Sequence, residues 1–132
     1  MEKTETNRKT VLVAEDEKDL REALQSALET MGNYTVVTVS DGEEALAQCL
    51  ALKPDHVVLD IHMPKLNGDE VLKQLRLDEW GSSVSVTILT AQSDINAIAN
   101  AIEVGGAGTS YLVKSDISLA KVVEHVGNQI PK

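Results

Sequence analysis

Five short apolar runs punctuate the chain, and each is followed by a stretch in which apolar residues recur at steps of three and four. The runs are 10–14 (TVLVA), 34–39 (YTVVTV), 56–60 (HVVLD), 84–89 (VSVTIL) and 109–113 (TSYLV). Short runs of this kind, bounded by turn formers and rich in Val, Ile and Thr, predict strands. Leu20, Ala23, Leu24, Ala27, Leu28 and Met31 mark one face of a first helix, ended by Gly32. Asp41-Gly42 turns the chain into a second helix over 43–52, with Asp41 as its candidate cap and Ala45, Leu46, Cys49 and Leu50 inward; Pro54 closes it. Asn67 caps a third helix, with Asp69 and Glu70 in its positively polarised first turn. Its inward residues are Val71, Leu72 and Leu75, and Gly81-Ser82-Ser83 breaks it. A fourth helix over 94–104 carries Ile95, Ile98 and Ile102, and a fifth over 117–129 carries Leu119, Val122, Val123, Val126 and Ile130. Between these two, Gly105, Gly106 and Gly108 predict a loose connection.

Strand and helix therefore alternate five times. With strands apolar on both faces, that order predicts an α/β fold whose parallel sheet is covered by helices on both sides. Right-handed crossovers favour the doubly wound strand order 2-1-3-4-5. The domain spans 10–130, and the polar residues 1–9 are expected to form a flexible arm.

Composition narrows the picture without changing it. The chain has 132 residues, 42% of them hydrophobic, which suits one domain with a substantial core. No apolar run approaches the roughly 20 residues of a membrane span, and the polar start MEKTETNRKT lacks a signal-peptide core, so a cytoplasmic location is expected. The net charge of −9 repels phosphate backbones and argues against direct nucleic-acid binding. The single cysteine, Cys49, excludes an internal disulfide and a cysteine-based zinc site, and its place on a helix's apolar face suits core packing. Trp80 likewise reads as packing, Glu17 as a solvated first-turn acid, and His125 as a solvent-facing helical residue.

The candidate chemistry lies where the strands end. In doubly wound sheets ligands bind beyond the carboxyl ends of the strands, at the point where the winding reverses, here between the first and third strands. The residues brought there are Glu15 and Asp16, Asp60, Thr90 and Lys114. Carboxylates about 4 Å apart repel by roughly 4 kcal/mol at an effective dielectric near 20, and Lys114 supplies only one compensating charge. A divalent ion with oxygen ligands, Mg²⁺, is the natural remainder. A nucleophilic carboxylate, a metal, a hydroxyl and an ammonium are the parts phosphoryl transfer requires. Asp60 occupies the central position and is the expected nucleophile.

Over residues 10–129 the sequence resembles the response-regulator receiver domains of two-component signalling, which share the flavodoxin-like order above. Asp16 precedes Asp60 by 44 residues and Thr90 follows it by 30. Asp60, Met63, Pro64 and Gly68 reproduce the family's Asp-x-x-Met-Pro and the glycine eight residues after the Asp, and Tyr111 stands three before Lys114. The resemblance implies that Asp60 is the phosphoacceptor. It implies Mg²⁺ held by Asp16, Asp60, the His62 backbone carbonyl and, through water, Glu15. Thr90 and Lys114 would bind the phosphoryl oxygens, and Tyr111 would be the switch aromatic that follows Thr90. The His62 side chain and Gln92 would tune the access of water to the acyl phosphate. Three positions depart from the pattern: Glu15 replaces the commoner Asp, Ser115 replaces a Pro that usually carries a cis bond after the lysine, and 105–108 is richer in glycine. Strain at Lys114-Ser115 or a rearranged loop is the expected consequence.

The function implied is a phosphorylation-dependent signalling switch rather than an enzyme turning over a free substrate. Its partners would be a histidine kinase or phosphotransfer protein, facing helix 1, and a downstream protein at helix 4, strand 5 and helix 5. A phosphorylation-linked dimer is compatible with this, as is a role as the receiver part of a larger regulator or hybrid kinase. A flavin- or nucleotide-binding protein is the competing class. It would need a Ser/Thr/Gly-rich phosphate loop where Glu15-Asp16-Glu17 stands.

Overall fold

A computed structural model describes residues 8–91 and 95–130. Strands β1 (Thr10–Ala14), β2 (Thr35–Val39), β3 (His56–Asp60), β4 (Ser85–Thr90) and β5 (Thr109–Val113) alternate with helices α1 (Lys18–Thr30), α2 (Gly42–Leu52), α3 (Gly68–Leu77), α4 (Ile95–Gly105) and α5 (Leu119–Gln129). The strands form one sheet in the order β2-β1-β3-β4-β5, every pairing parallel. Alternation and handedness predicted this topology, and boundaries moved by one or two residues except at α3, which ends at Leu77, short of the expected break at Gly81. The expected arm at 1–9 falls largely outside the described residues, as do Gln92 and the first residue of the predicted fourth helix.

Period-two alternation sorts the core into two layers. Leu12, Ala14, Val57, Leu59, Val86 and Ile88 point toward α2, α3 and α4, where Ala45, Cys49, Val71, Leu72, Leu75 and Ala101 meet them. Val11, Val13, Val58 and Leu89 point the other way, onto Leu24 and Leu28 of α1 and Val122 and Val126 of α5. Cys49 is fully buried, and burial pushes its thiol up to about 12, so it packs as an inert apolar residue. Trp80 packs against the first of these layers, as its setting suggested.

Local chemistry sets the helix starts. Asp41 accepts from the Glu44 amide at 2.8 Å, and the Ser118 hydroxyl accepts from the Lys121 amide at 3.2 Å. At α3 the Glu70 carboxylate reaches back to accept from the Asn67 amide at 3.0 Å. Gly68 answers a tighter demand. Its N–H donates to the Ile61 carbonyl at 2.8 Å, and a Cβ there would collide with the Asp60 carbonyl.

Four expectations are corrected. β5 is an edge strand, half-exposed rather than buried on both faces. Met31, Leu50, Ile102 and Leu119, at the margins of their stripes, are 38–56% exposed. His125 is half-buried and lies 2.8 Å from Ser110 Oγ, not on the solvent face. The glycine-rich link after α4 is tied rather than loose. The Arg76 guanidinium donates to the carbonyls of Gly105 (2.8 Å), Gly81 (2.7 Å) and Val84 (2.7 Å) and to Thr109 Oγ1 (2.9 Å). Gly106 and Gly108 turn the chain at positive φ.

Candidate functional site

The carboxyl edge of the sheet holds the site, and hydrogen bonds one residue beyond each strand fix its members. The Glu15 amide donates to the Val39 carbonyl at 3.1 Å, continuing the β1–β2 ladder, and the Ile61 amide donates to Leu89 at 3.0 Å, continuing β3–β4. Glu15 and Asp60 thus leave the sheet as rigid extensions of buried strands. Arg21, on the first turns of α1, straps the loop between β1 and α1 by donating to the carbonyls of Glu15 (2.9 Å) and Asp16 (3.3 Å).

Carboxylate oxygens of Glu15, Asp16 and Asp60 all lie within 4.8 Å of one another. Glu15 and Asp60 are buried, while Asp16 is exposed. Lys114 reaches in from the end of β5, its Nζ 3.1 Å from Glu15 Oε1 and 3.2 Å from Asp60 Oδ1. The second Glu15 oxygen, Oε2, accepts from the Glu17 amide at 3.0 Å, and Asp60 Oδ1 has the His62 amide at 3.4 Å.

Electrostatics follow from that geometry. Burial pushes the Glu15 carboxyl up to about 6; the Glu17 amide and Lys114 oppose the shift, and the Asp60 charge adds to it. Burial also raises Asp60, against Lys114. For Lys114, burial works toward a lower value, but the Asp60 and Glu15 carboxylates outweigh it and raise the ammonium's pKa. Three ionised carboxylates against one ammonium leave two negative charges. Burial is the main cause of both raised carboxyls, and the Asp60 charge adds to the shift only at Glu15. An all-oxygen set with two negative charges in excess fits a divalent cation, and hard Mg²⁺ in particular.

The other expected residues are placed differently. Thr90 is buried at the end of β4, and its hydroxyl donates to the Ala91 carbonyl at 3.2 Å. Tyr111 on β5 is 44% exposed, and the His62 side chain is exposed. After Lys114 the chain runs into a single 3₁₀ turn, Lys114–Asp116, with no cis peptide among the described residues. Sequence reasoning missed Arg21. Its signal was only an arginine one turn into a helix that follows an acidic pair.

The sequence matches the response regulator receiver domain family over residues 11–126. It is 53% identical over 86 residues to the alkaline phosphatase synthesis transcriptional regulatory protein PhoP of Bacillus subtilis, 65% of this chain and 35% of that protein. It is 34% identical over 122 residues to hybrid signal transduction histidine kinase D of Dictyostelium discoideum, 92% of this chain and 8% of that one. Among solved structures, the Francisella response regulator 1452 receiver domain superposes with a TM-score of 0.80 at 27% identity, covering 92% of this chain and 96% of that one. The chain spans less than half the length of these curated relatives. No helix among the described residues is long and apolar enough to cross a membrane. A doubly wound sheet, an acid cluster with a lysine at its carboxyl edge, and a family match across nearly every strand and helix agree: this chain belongs to the response regulator receiver domain family.

Proposed function

We propose that the chain is a Mg²⁺-dependent phosphoacceptor in two-component signalling, with Asp60 as the residue modified. The observation that carries this reading is the convergence of three carboxylates within 4.8 Å, two of them buried, with one ammonium bridging that pair. Such a cluster is costly to assemble and has no structural role that one carboxylate could not fill.

In the proposed reaction an Asp60 carboxylate oxygen attacks the phosphorus of a phosphohistidine on a kinase or phosphotransfer protein. The P–N bond breaks, its electron pair returns to the imidazole, and the imidazole takes up a proton. Asp16, Asp60, the His62 carbonyl and, through water, Glu15 would hold Mg²⁺, which when bound neutralises charge on the phosphoryl oxygens. Lys114 swings its ammonium from the carboxylates to a phosphoryl oxygen. Thr90 exchanges its bond to the Ala91 carbonyl for another, and the space it leaves admits the Tyr111 ring. That discrete repacking alters the surface of α4, β5 and α5, where a downstream protein binds. The same residues later admit water to the acyl phosphate, so the domain catalyses both its own modification and its reversal, in the cytoplasm. It acts either alone or as the receiver part of a longer regulator. A flavin or nucleotide reading is disfavoured, because the acids after β1 would repel the ligand's phosphate.

The test is incubation with acetyl phosphate and Mg²⁺, followed by intact mass. A gain of one phosphoryl group in the wild type, lost in Asp60→Asn and without Mg²⁺, is expected. No gain, or an equal gain in Asp60→Asn, would sink the assignment.

A further inference from the structure

One line of buried polar side chains takes no part in the acidic pocket. His56, on β3, is fully buried, with Nδ1 2.7 Å from Ser85 Oγ and Nε2 2.8 Å from Thr87 Oγ1, both on β4. Thr87 Oγ1 is 3.4 Å from Ser110 Oγ on β5, and Ser110 Oγ is 2.8 Å from Nε2 of His125 on α5. At the far end Ser85 donates to the Asp55 carbonyl at 3.4 Å. Two imidazoles are thus joined by hydroxyls, each with one proton to give.

Such a chain has two polarities. In the inward one, His125 Nε2–H donates to Ser110, Ser110 to Thr87, and Thr87 to His56 Nε2. His56 Nδ1–H then donates to Ser85, and Ser85 keeps its bond to Asp55. In the outward one Ser85 leaves the Asp55 carbonyl to donate to His56 Nδ1, His56 Nε2–H donates to Thr87, Thr87 to Ser110, and Ser110 to His125 Nε2. Only a neutral His125 can accept that last bond, because an imidazolium carries hydrogen on both nitrogens.

We propose that protonation of His125 sets the polarity of this chain, so that the tautomer of buried His56 and the seating of α5 on the sheet respond together to mild acid. Burial holds His56 down to about 3, so it stays neutral while His125 titrates. Burial also lowers His125. Seating α5 therefore weakens proton binding at His125, and by reciprocity a proton there weakens the seating. Among the described residues, the polar groups linked to His125 are the hydroxyls of Ser110 on β5 and Thr87 on β4 and, beyond them, His56 on β3. α1 packs with Leu24 and Leu28, while Tyr34, its pKa raised by burial, stays neutral. Lys121 and Glu124, on α5 itself, are exposed. The 3.4 Å step between Thr87 and Ser110 is long for an O–H···O bond, and the Val86 carbonyl, also 3.4 Å from Ser110 Oγ, competes for the same proton. Coupling therefore biases the tautomer rather than fixing it.

The device does not depend on the phosphoryl chemistry, and its test uses the unmodified full chain without Mg²⁺. Ring ¹⁵N shifts and amide protection, which is exchange relative to the intrinsic rate at each pH, are followed from pH 8 to 5. His56 is expected to remain neutral and gain Nδ1–H tautomer as His125 titrates, while α5 amides lose protection. In Ser110→Ala, His125 still titrates but the His56 tautomer no longer moves. In His125→Gln, which donates and accepts without titrating, neither the tautomer nor the protection of the α5 amides depends on pH. A His56 tautomer that stays constant through the His125 titration in the wild type, or moves equally in Ser110→Ala, overturns the proposal.

Discussion

Replacing Lys114 with Met removes the charge while keeping most of the side chain's bulk, and isolates what the ammonium does for the acids. At 3.1 and 3.2 Å each pairing is worth about 5 kcal/mol at an effective dielectric near 20, before screening. The lysine side chain is 30% exposed, so about half of one pairing, roughly 2 pKa units, is a reasonable share for Glu15. Its carboxyl, at about 6 in the wild type, should then titrate near 8. A carboxyl raised in the folded state contributes stability that is complete below its unfolded pKa of 4.5 and is lost as pH rises to the folded value. Wild type loses that contribution between 4.5 and 6, whereas Lys114→Met goes on losing it up to about 8. The stability gap between the two proteins should therefore widen by about 2.5 kcal/mol from pH 5 to pH 8. Urea unfolding at each pH unit, with divalent ions chelated, reads the gap directly. A gap independent of pH, or one that narrows toward alkali, would mean that Lys114 does not hold Glu15 and Asp60 ionised.

Three further outcomes follow from single features. Asp16→Asn should abolish the rise in melting temperature that millimolar Mg²⁺ gives the wild type, which is worth about 1.4 kcal/mol at tenfold Kd; calorimetry with and without the ion measures it. Because His56 is held down to about 3, its contribution is intact above pH 6.5 and lost as pH falls toward 3, at about 1.4 kcal/mol per unit. His56→Leu should therefore flatten the acid limb of the stability profile by one proton, and an unchanged slope would refute the assignment. Arg76→Lys should lose about 2–4 kcal/mol in chemical denaturation, because one ammonium cannot meet four acceptors on three segments, and exchange protection should fall first around Gly105 and Thr109.

What the sequence made legible is what short-range pattern controls. Val57-Val58-Leu59 running into Asp60 identifies a buried strand with an acid at its exit. Once alternation fixes the sheet order, the ends of β1, β3, β4 and β5 must lie along one edge, so Glu15, Asp16, Asp60, Thr90 and Lys114 could be grouped without coordinates. Distances could not be. That Lys114 bridges Glu15 and Asp60, while Thr90 turns to the Ala91 carbonyl, depends on side-chain torsions that no spacing encodes.

The misses share a different cause: each polar group is satisfied by a partner on another element. His125 stands three residues after Val122 and one before Val126, which places it on the flank of the buried stripe; the stripe was drawn too narrowly. Once on that flank, a half-buried imidazole needs a partner, and Ser110 supplies it. The same logic reaches inward. Ser85 and Thr87 are two hydroxyls in phase on a strand with every residue buried, so they must bond to a neighbouring strand. The β3–β4 register puts His56 directly beside Ser85. Arg76, in the last turn of α3, reads locally as a charge complementing the helix dipole, yet its guanidinium donates to three backbone carbonyls and the Thr109 hydroxyl, which only the folded chain brings together. Buried polar residues in phase across predicted neighbouring strands are therefore a readable signal, provided the sheet order is known first. Applied to β3, β4 and β5, that rule finds the His56–Thr87–Ser110 line from sequence and topology together, although neither alone contains it.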